Sequence, residues 1–312
     1  MIKPLRIVTR QSPLALRQAS IVKTELQILY PSLNVTILGI TTEGDTLQDL
    51  PLHKLGGKGL FVKTLEEKLL NDEADIAVHS MKDIPSTLPE GLEIGAILER
   101  EDPRDVLISS KYPNIFVLPQ HAIIGTSSLR RQSQIASLRS DLSLIPLRGN
   151  IETRIDKLDK GEFDAIILAA AGIHRLGFSD RIGQYLSFEQ MLPAVGQGAL
   201  GIECRIDDTP TKHFIAPLHH SPSALCIQAE RRMNEVLGGS CQLPIAALGI
   251  IDTHFKQLTL LGMVGDPLGQ TILKTISTGD PKSAAAIGEK AAKLLLEQGA
   301  QRIIDESVNY TT

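Results

Sequence analysis

Arginines stand beside small hydroxyl-bearing residues at the ends of apolar, strand-like runs, in a chain whose net charge is -4. The densest instance is Gly125-Thr126-Ser127-Ser128-Leu129-Arg130-Arg131, which follows Ala122-Ile123-Ile124 and opens a helical stretch. Thr9-Arg10-Gln11-Ser12 after residues 5–8, and Arg148-Gly149-Asn150 after residues 143–147, repeat the arrangement. Hydroxyls, backbone N–H groups at a helix start and guanidinium forks all suit carboxylates or phosphates. With Arg154 and Arg175 nearby in sequence, three such sites point to a ligand carrying several negative charges. Ion pairing with the 36 acidic side chains is the competing use for any one arginine.

Two further residues have the setting for chemistry. Asp83 lies in His79-Ser80-Met81-Lys82-Asp83-Ile84-Pro85, just past an apolar strand. Ligands of parallel α/β sheets bind beyond the carboxyl ends of strands, so this is an address for a catalytic carboxylate, although an aspartate before Ile-Pro also suits a plain turn. His79 alternates into the strand and reads as a hydrogen-bonded core residue. Of the three cysteines, Cys204 shares an alternating face with Leu200, Ile202 and Ile206, and Cys226 a helical face with Ala229, Met233 and Leu237. Cys241 instead follows Gly238-Gly239-Ser240 in a loop beyond a helix, where a thiol has the exposure that reactivity needs.

Other signals fail. Gly196-Gln197-Gly198-Ala199-Leu200-Gly201 matches a dinucleotide fingerprint but runs into a strand-like segment rather than a helix. Gly56-Gly57-Lys58-Gly59 lacks the first glycine and the Ser/Thr of a phosphate loop. No cysteine–histidine spacing fits zinc, and His219-His220 has no partners at ligand spacing, so no metal is expected. No basic run and only 4% aromatics argue against nucleic acid. With 42% hydrophobic and 22% charged residues, and no apolar stretch of signal or membrane-spanning type, a soluble cytoplasmic protein is expected.

At 312 residues the chain needs two or three domains to position these groups. Strands at 5–9, 34–41 and 75–80 alternate with helices at 13–28 and 61–71, a βαβαβ order that predicts a mostly parallel sheet. A second set begins near Asp105, with strands at 122–125, 143–147 and 165–168 and helices at 129–139 and 151–160. The last third changes character. A helix at 223–237 leads to three consecutive strands at 245–251, 257–263 and 271–278, then a helix with Ala284, Ile287, Ala291 and Leu295 on one face. The fold class is therefore α/β, with two mixed, mostly parallel lobes and a small α+β domain carrying an antiparallel sheet. Residues 41–59, glycine-rich and without period, read as a lid over an anion through Lys54 and Lys58, or as a surface loop.

Taken together, the motifs resemble the porphobilinogen deaminase (hydroxymethylbilane synthase) family. They are Thr9-Arg10-Gln11-Ser12-Pro13-Leu14-Ala15-Leu16, Gly56-Gly57-Lys58-Gly59-Leu60-Phe61, His79-Ser80-Met81-Lys82-Asp83, Asp102-Pro103-Arg104-Asp105, residues 125–131, Leu147-Arg148-Gly149-Asn150, residues 192–201 and Gly239-Ser240-Cys241. The resemblance covers nearly the whole chain, with Val8 standing where a smaller residue is common. It implies two periplasmic-binding-protein-like lobes, 1–99 with 200–217 and 100–199, and a C-terminal domain at 218–312 carrying the cofactor cysteine.

The resemblance also implies an activity: head-to-tail joining of four porphobilinogen molecules with loss of ammonia, on a dipyrromethane cofactor held by a thioether to Cys241, followed by release of hydroxymethylbilane. Loss of ammonia leaves an electron-poor azafulvene, and Asp83 would face its cationic character. Ser80, Lys82, Thr126, Ser128, Arg130, Arg131, Arg148 and Gly149 would bind the cofactor. Arg10, Ser12, Gln18, Lys58, Phe61, Ser127, Arg148, Arg154, Arg175 and Gln197 would bind substrate, and a monomer is expected. Without these motifs, two lobes around an anion site equally describe a reversible solute-binding module, which has no use for Cys241. A phosphoryl-transfer reading lacks both phosphate loop and metal cluster.

Overall fold

The computed structural model describes residues 4–42, 62–239, 243–252, 254 and 256–311. The chain divides into two units, one of residues 1–101 with 199–224 and the other of residues 102–198 with 225–312.

In the first unit the chain runs β1 (Leu5–Arg10), α1 (Pro13–Leu29), β2 (Val35–Ile40), α2 (Lys63–Leu70), β3 (Ile76–Ser80) and β4 (Leu92–Ile97). Ser12 starts α1 by accepting the Ala15 N–H, and Pro13 sits in the first turn, where its missing N–H costs nothing. The apolar face of α1, Ala19, Val22 and Leu26, packs on Ile7, Ile76 and Val78 from one side of the sheet. Leu65 and Leu69 of α2 cover Val8 and Ala77 on the other.

The second unit begins with β5 (Asp105–Ile108), β6 (Ile123–Gly125), α3 (Leu129–Leu138), β7 (Ser143–Ile145), α4 (Ile151–Asp159), β8 (Ala165–Ala169), α5 (Ala170–Arg175) and β9 (Ile182–Tyr185). Helices again lie on both faces, Ile135 against Ile124 and Ile167 on one side, Ile155 and Ile173 against Val106 and Ile166 on the other. The chain then returns as β10 (Leu200–Arg205) to the first sheet, followed by α6 (Thr209–Ile215) and α7 (Ser221–Val236).

The two sheets are mixed, as expected, but less parallel than the βαβ order predicts. In the first, ordered β2-β1-β3-β10-β4, β1 pairs parallel with β2 and β3, while β10 runs antiparallel to β3 and β4. In the second, ordered β7-β6-β8-β5-β9, β6 pairs parallel with its neighbours and β5 antiparallel with its own. Local alternation of strand and helix records the parallel half only. The antiparallel half comes from strands that arrive from a distance, and no local pattern announces them.

The remainder of the second unit is β11 (Ile245–Asp252), β12 (Gln257–Gly265), β13 (Ile272–Gly279), α8 (Ala284–Glu297) and α9 (Ala300–Thr311). The three strands form the expected antiparallel meander. Met233, Leu260, Ile287 and Leu295 build a core on its helical face, joined by Ile303 and Ile304 of α9, a helix that the sequence reading does not include. On the other face Ala246, Leu248 and Met263 pack against Leu192. Gly265 permits a close approach there, since a side chain would overlap the Ser133 hydroxyl of α3.

Met263 is fully buried in that contact, whereas Ile276 on the neighbouring strand is 65% exposed. Met263→Ala should therefore cost about 2–5 kcal/mol in chemical denaturation. Ile276→Ala should stay within about 0.5 kcal/mol. Equal losses from the two would contradict the packing described.

Candidate functional site

In the first unit the candidate residues gather beyond the carboxyl ends of the parallel neighbours β1 and β3. Thr9 is fully buried, and its hydroxyl donates to the Ala15 carbonyl at 3.3 Å, which ties the end of β1 to the first turn of α1. Arg10 is half-buried and Ser12 is the N-cap. Gln18, one turn further along α1, is buried and donates through Nε2 to the Ser80 hydroxyl at 2.7 Å. Beyond Ser80 a short 3-10 turn spans Met81–Asp83. Buried Met81 and Ile84 anchor it, and the Met81 N–H donates to the Ala199 carbonyl at 3.0 Å. Between those anchors Lys82 is half-buried and Asp83 is exposed. The turn thus holds its backbone in the protein and presents a carboxylate outward. His79 is the buried, bonded residue expected, with Nε2 2.9 Å from Glu203 Oε2.

In the second unit the hydroxyl-rich segment joins β6 to α3. Thr126 is buried, its N–H donates to the Ile145 carbonyl, and its hydroxyl oxygen accepts the Ser128 N–H at 3.2 Å. The Ser127 hydroxyl donates to the Leu147 carbonyl at 2.9 Å. Ser128 occupies the N-cap position of α3 without capping it through its side chain.

Arg130 and Arg131 do not lie on the surface. Both are buried, and both serve Asp105 at the start of β5. Arg130 Nη1 lies 2.7 Å from Asp105 Oδ2 and donates to the Leu192 carbonyl at 2.6 Å. Arg131 donates through Nε and Nη2 to Asp105 Oδ1 at 3.1 and 2.8 Å, and through Nη1 to the Ile167 carbonyl at 2.9 Å. Gln197, also buried, donates to Asp105 Oδ1 at 3.1 Å and to the Pro103 carbonyl at 2.7 Å. Burial alone would raise the Asp105 carboxyl, but the two guanidinium charges overcome it and hold the group well below the usual carboxylate range. Burial, opposed by Asp105 and reinforced by the charge of Arg131, lowers Arg130. Two guanidiniums against one carboxylate leave the cluster one positive charge in excess.

The sequence reading weighs ion pairing against ligand binding for any one arginine and, by resemblance, assigns Arg130 and Arg131 to the cofactor; the structure shows both paired with one carboxylate. The residue that reading missed is Asp105, present in a quoted motif but given no role. A usable signal existed: an acidic side chain heading the apolar run Val106-Leu107-Ile108 must be buried, and a buried carboxylate requires cationic partners.

The other arginines border this segment. Gly149 follows Arg148 with φ of +108°, and a side chain there would press on Thr153, so only glycine fits this turn into α4. Asn150 caps α4 by accepting the Thr153 N–H at 2.8 Å. Arg154 donates back to the Gly149 carbonyl at 2.7 Å. Arg175, at the end of α5, donates to the Gly198 carbonyl at 2.9 Å. The glycine-rich run at 196–201 does enter β10 rather than a helix. Lys58, Phe61, Cys241 and the proposed lid at 41–59, from residue 43 onward, lie outside the described residues. Among the described residues no group of three or more His, Cys, Asp or Glu side chains could hold a metal ion, and no helix is long and apolar enough to cross a membrane.

Removing the central carboxylate tests this geometry. Asp105→Asn leaves two buried guanidiniums without a counter-ion and should cost about 3–5 kcal/mol, far more than Asp141→Asn in the half-buried pair with Arg139. Because the Asp105 carboxyl is depressed in the fold, its contribution is present at neutral pH, above the unfolded-state value. It is lost only as pH falls below the ordinary carboxylate range. Melts of both variants against pH would show it, and equal losses at neutral pH would contradict the buried-cluster account.

Comparison with known proteins bears on this arrangement. Residues 5–213 match the family model for "Porphobilinogen deaminase, dipyromethane cofactor binding domain", and residues 224–297 match "Porphobilinogen deaminase, C-terminal domain". A porphobilinogen deaminase of Laribacter hongkongensis (strain HLHK9) is 50% identical over 303 residues, spanning 97% of this chain and 98% of the relative. Among solved structures, a putative methionine-binding lipoprotein of Bacillus subtilis overlaps 70% of this chain and 90% of its own, at 13% identity and a TM-score of 0.43. Immunogenic lipoprotein A of Vibrio vulnificus overlaps 72% of this chain and 99% of its own, at 9% identity and a TM-score of 0.43.

Proposed function

The chain belongs to the porphobilinogen deaminase family, and from that footing we propose how its own residues perform the family's reaction. The protein is a transferase of tetrapyrrole biosynthesis that joins porphobilinogen units into hydroxymethylbilane and uses a dipyrromethane cofactor. When bound, that cofactor supplies the pyrrole carbon to which new units are added.

The observation that carries the residue assignment is the spare positive charge of the buried Asp105–Arg130–Arg131 cluster. A buried excess charge calls for an anionic partner, and the acetate and propionate groups of a pyrrole chain are such partners. Arg130 and Arg131, with Thr126, Ser128, Arg148, Gly149, Ser80 and Lys82, hold the cofactor's carboxylates. Arg10, Ser12, Gln18, Ser127, Arg148, Arg154, Arg175 and Gln197, with Lys58 and Phe61, hold those of substrate and growing chain. Asp83 is the catalytic residue. Its carboxylate stands outward from an anchored turn, where it would face the pyrrole N–H groups of the reacting units and offset the positive charge that develops as ammonia leaves. The same oxygens handle the proton passed to the leaving amine.

Cys241 is the attachment point. The other two thiols are poor candidates: Cys204 and Cys226 are buried at 0% and 6% exposure. Burial, with the charge of Glu93, pushes the Cys204 thiol up to about 11. A thioether needs the reactive thiolate, which such surroundings suppress. A reduced thiol also fits the cytoplasm, where we place the protein as a monomer. We divide the chain into lobes at 1–99 with 200–217 and at 100–199, followed by a C-terminal domain at 218–312 that carries Cys241.

Two sets of variants test these roles. Asp83→Asn is nearly isosteric, so it should keep the fold and the cofactor mass yet lose most turnover. Near-normal activity in a folded Asp83→Asn protein would overturn the assignment. Cys241→Ala should lack the two-pyrrole mass in intact-protein mass spectrometry and melt below the loaded enzyme, because a ligand bound only by the native state stabilises it. Cys204→Ala and Cys226→Ala should retain the mass, and an adduct persisting on Cys241→Ala would remove the attachment site.

A further inference from the structure

The face of the first sheet covered by α2 contains three buried ionisable side chains that the reaction does not use. Alternation puts Ile76, Val78, Ile202 and Cys204 on the α1 side, in the core with Val22 and Leu26. Ala77, His79, Gly201 and Glu203 therefore face α2. His79 Nε2 and Glu203 Oε2 lie 2.9 Å apart, and the two side chains are 5% and 0% exposed. Glu203 Oε1 has no hydrogen-bond partner among the described residues. From α2, Glu66 enters the same space with only 7% of its surface exposed. Burial, then the negative charge of Glu203, pushes the Glu66 carboxyl up to about 7, with His79 acting in the opposite direction. In this apolar setting beside the Glu203 carboxylate, the Glu66 carboxyl is best satisfied when it keeps its proton.

Among the described residues the other charges on this face are paired or engaged, beginning with Arg6 of β1, which pairs with Asp75 ahead of β3. On α2, Glu67 raises Glu66 slightly and pairs outward with Lys63. On β10, Arg205 is engaged with Asp208 and with the Leu69 and Ala74 carbonyls. On β4, Glu93 pairs with Lys212 and acts on Cys204. On β1, Arg10 shares the α2 face with Val8.

The position of the cluster gives it a consequence. His79 directly precedes Ser80 and the Met81–Asp83 turn. Gly201, the register partner of His79, lies under Met81, where a side chain would overlap the Met81 sulfur. The ionisable cluster and the anchor of the turn thus rest on the same two strands.

We propose that Glu66, His79 and Glu203 form a proton-holding positioning unit beneath the Ser80–Asp83 turn, whose loss of one proton places an uncompensated negative charge there and lowers turnover. The proposal rests on the reading of Asp83 as catalytic. The sign follows from the raised Glu66 carboxyl. Between its ordinary value of 4.5 and about 7 the folded protein holds a proton that the unfolded chain does not, so stability falls as pH rises across that window. Above about 7 the cost is complete.

The test uses the cofactor-loaded enzyme and its Glu66→Gln, Glu203→Gln and Asp83→Asn variants. Melting temperature, kcat and KM for porphobilinogen would be followed between about pH 5 and 9, with infrared spectra of the protonated carboxyl band. In the unaltered enzyme, melting temperature should fall as pH rises from the ordinary carboxylate range to about 7 and then level off, and kcat should fall with a midpoint near 7, while KM changes little. Glu66→Gln should flatten both and delete the infrared band. Should Glu66→Gln fail to fold, Glu203→Gln still decides the matter. It removes the repelling charge and should move the kcat midpoint, and the pH at which melting levels off, toward acid by about one pH unit. Unchanged midpoints in folded Glu66→Gln or Glu203→Gln, or an infrared band that survives Glu66→Gln, would overturn the proposal. An active Asp83→Asn protein would overturn the assignment of the turn and the catalytic half of this proposal, a result distinct from the melts and spectra.

Discussion

Asp105 heads a strand whose remaining residues are apolar and fully buried, and a carboxylate in that position is stable only if cations reach it. Arg130 and Arg131 reach it from the first turn of α3, and the demands of those guanidiniums organise what surrounds them. Arg130 also donates to the Leu192 carbonyl and Arg131 to the Ile167 carbonyl, Gln134 bonds the Leu192 backbone on both sides, and Gln197 joins Asp105 to the Pro103 carbonyl. A strand start, a helix start and the 192–197 loop are thereby held in one arrangement. The surplus positive charge is the feature on which the proposed cofactor-binding role of these arginines rests. A protein selected for stability alone gains little from burying two cations on one anion.

Much of the chemistry was legible from residue types. Arginines next to hydroxyls at strand ends predict a polyanionic ligand, and the sequence puts Asp83 at the kind of address where open α/β sheets bind ligands. Helices were legible where apolar spacing and caps coincide, as at Ser12 and Asn150. Two things were not. The antiparallel half of each sheet depends on pairings such as Leu200 with Ser80, between segments far apart in sequence. The partner of a buried charge is equally non-local: nothing near Arg131 in sequence says that Asp105 receives it. Arg130 and Arg131, assigned through the resemblance to the cofactor, are buried in the interior, and pairing with Asp105 fixes where their charge lies.

The two units solve the same problem differently. Around Asp83 the backbone is pinned by buried Met81 and Ile84, so a short exposed turn can present a charge with little freedom to move. Around Arg130 and Arg131 the charge is itself buried and is oriented by a counter-charge. A fixed negative group suits the passing cation of a reaction, whereas fixed positive groups suit ligands that stay bound through many steps.

The central claim, that the surplus charge at Asp105 retains the cofactor, is tested most directly by intact-protein mass spectrometry of Arg130→Leu. This change leaves Arg131 and Asp105 as a neutral pair, so the protein should fold while lacking the two-pyrrole mass. Arg302→Leu is the control, since Arg302 is 83% exposed and pairs only locally with Glu306 among the described residues. It should carry the full adduct. A folded Arg130→Leu protein loaded to the same extent as the Arg302→Leu control would contradict the account.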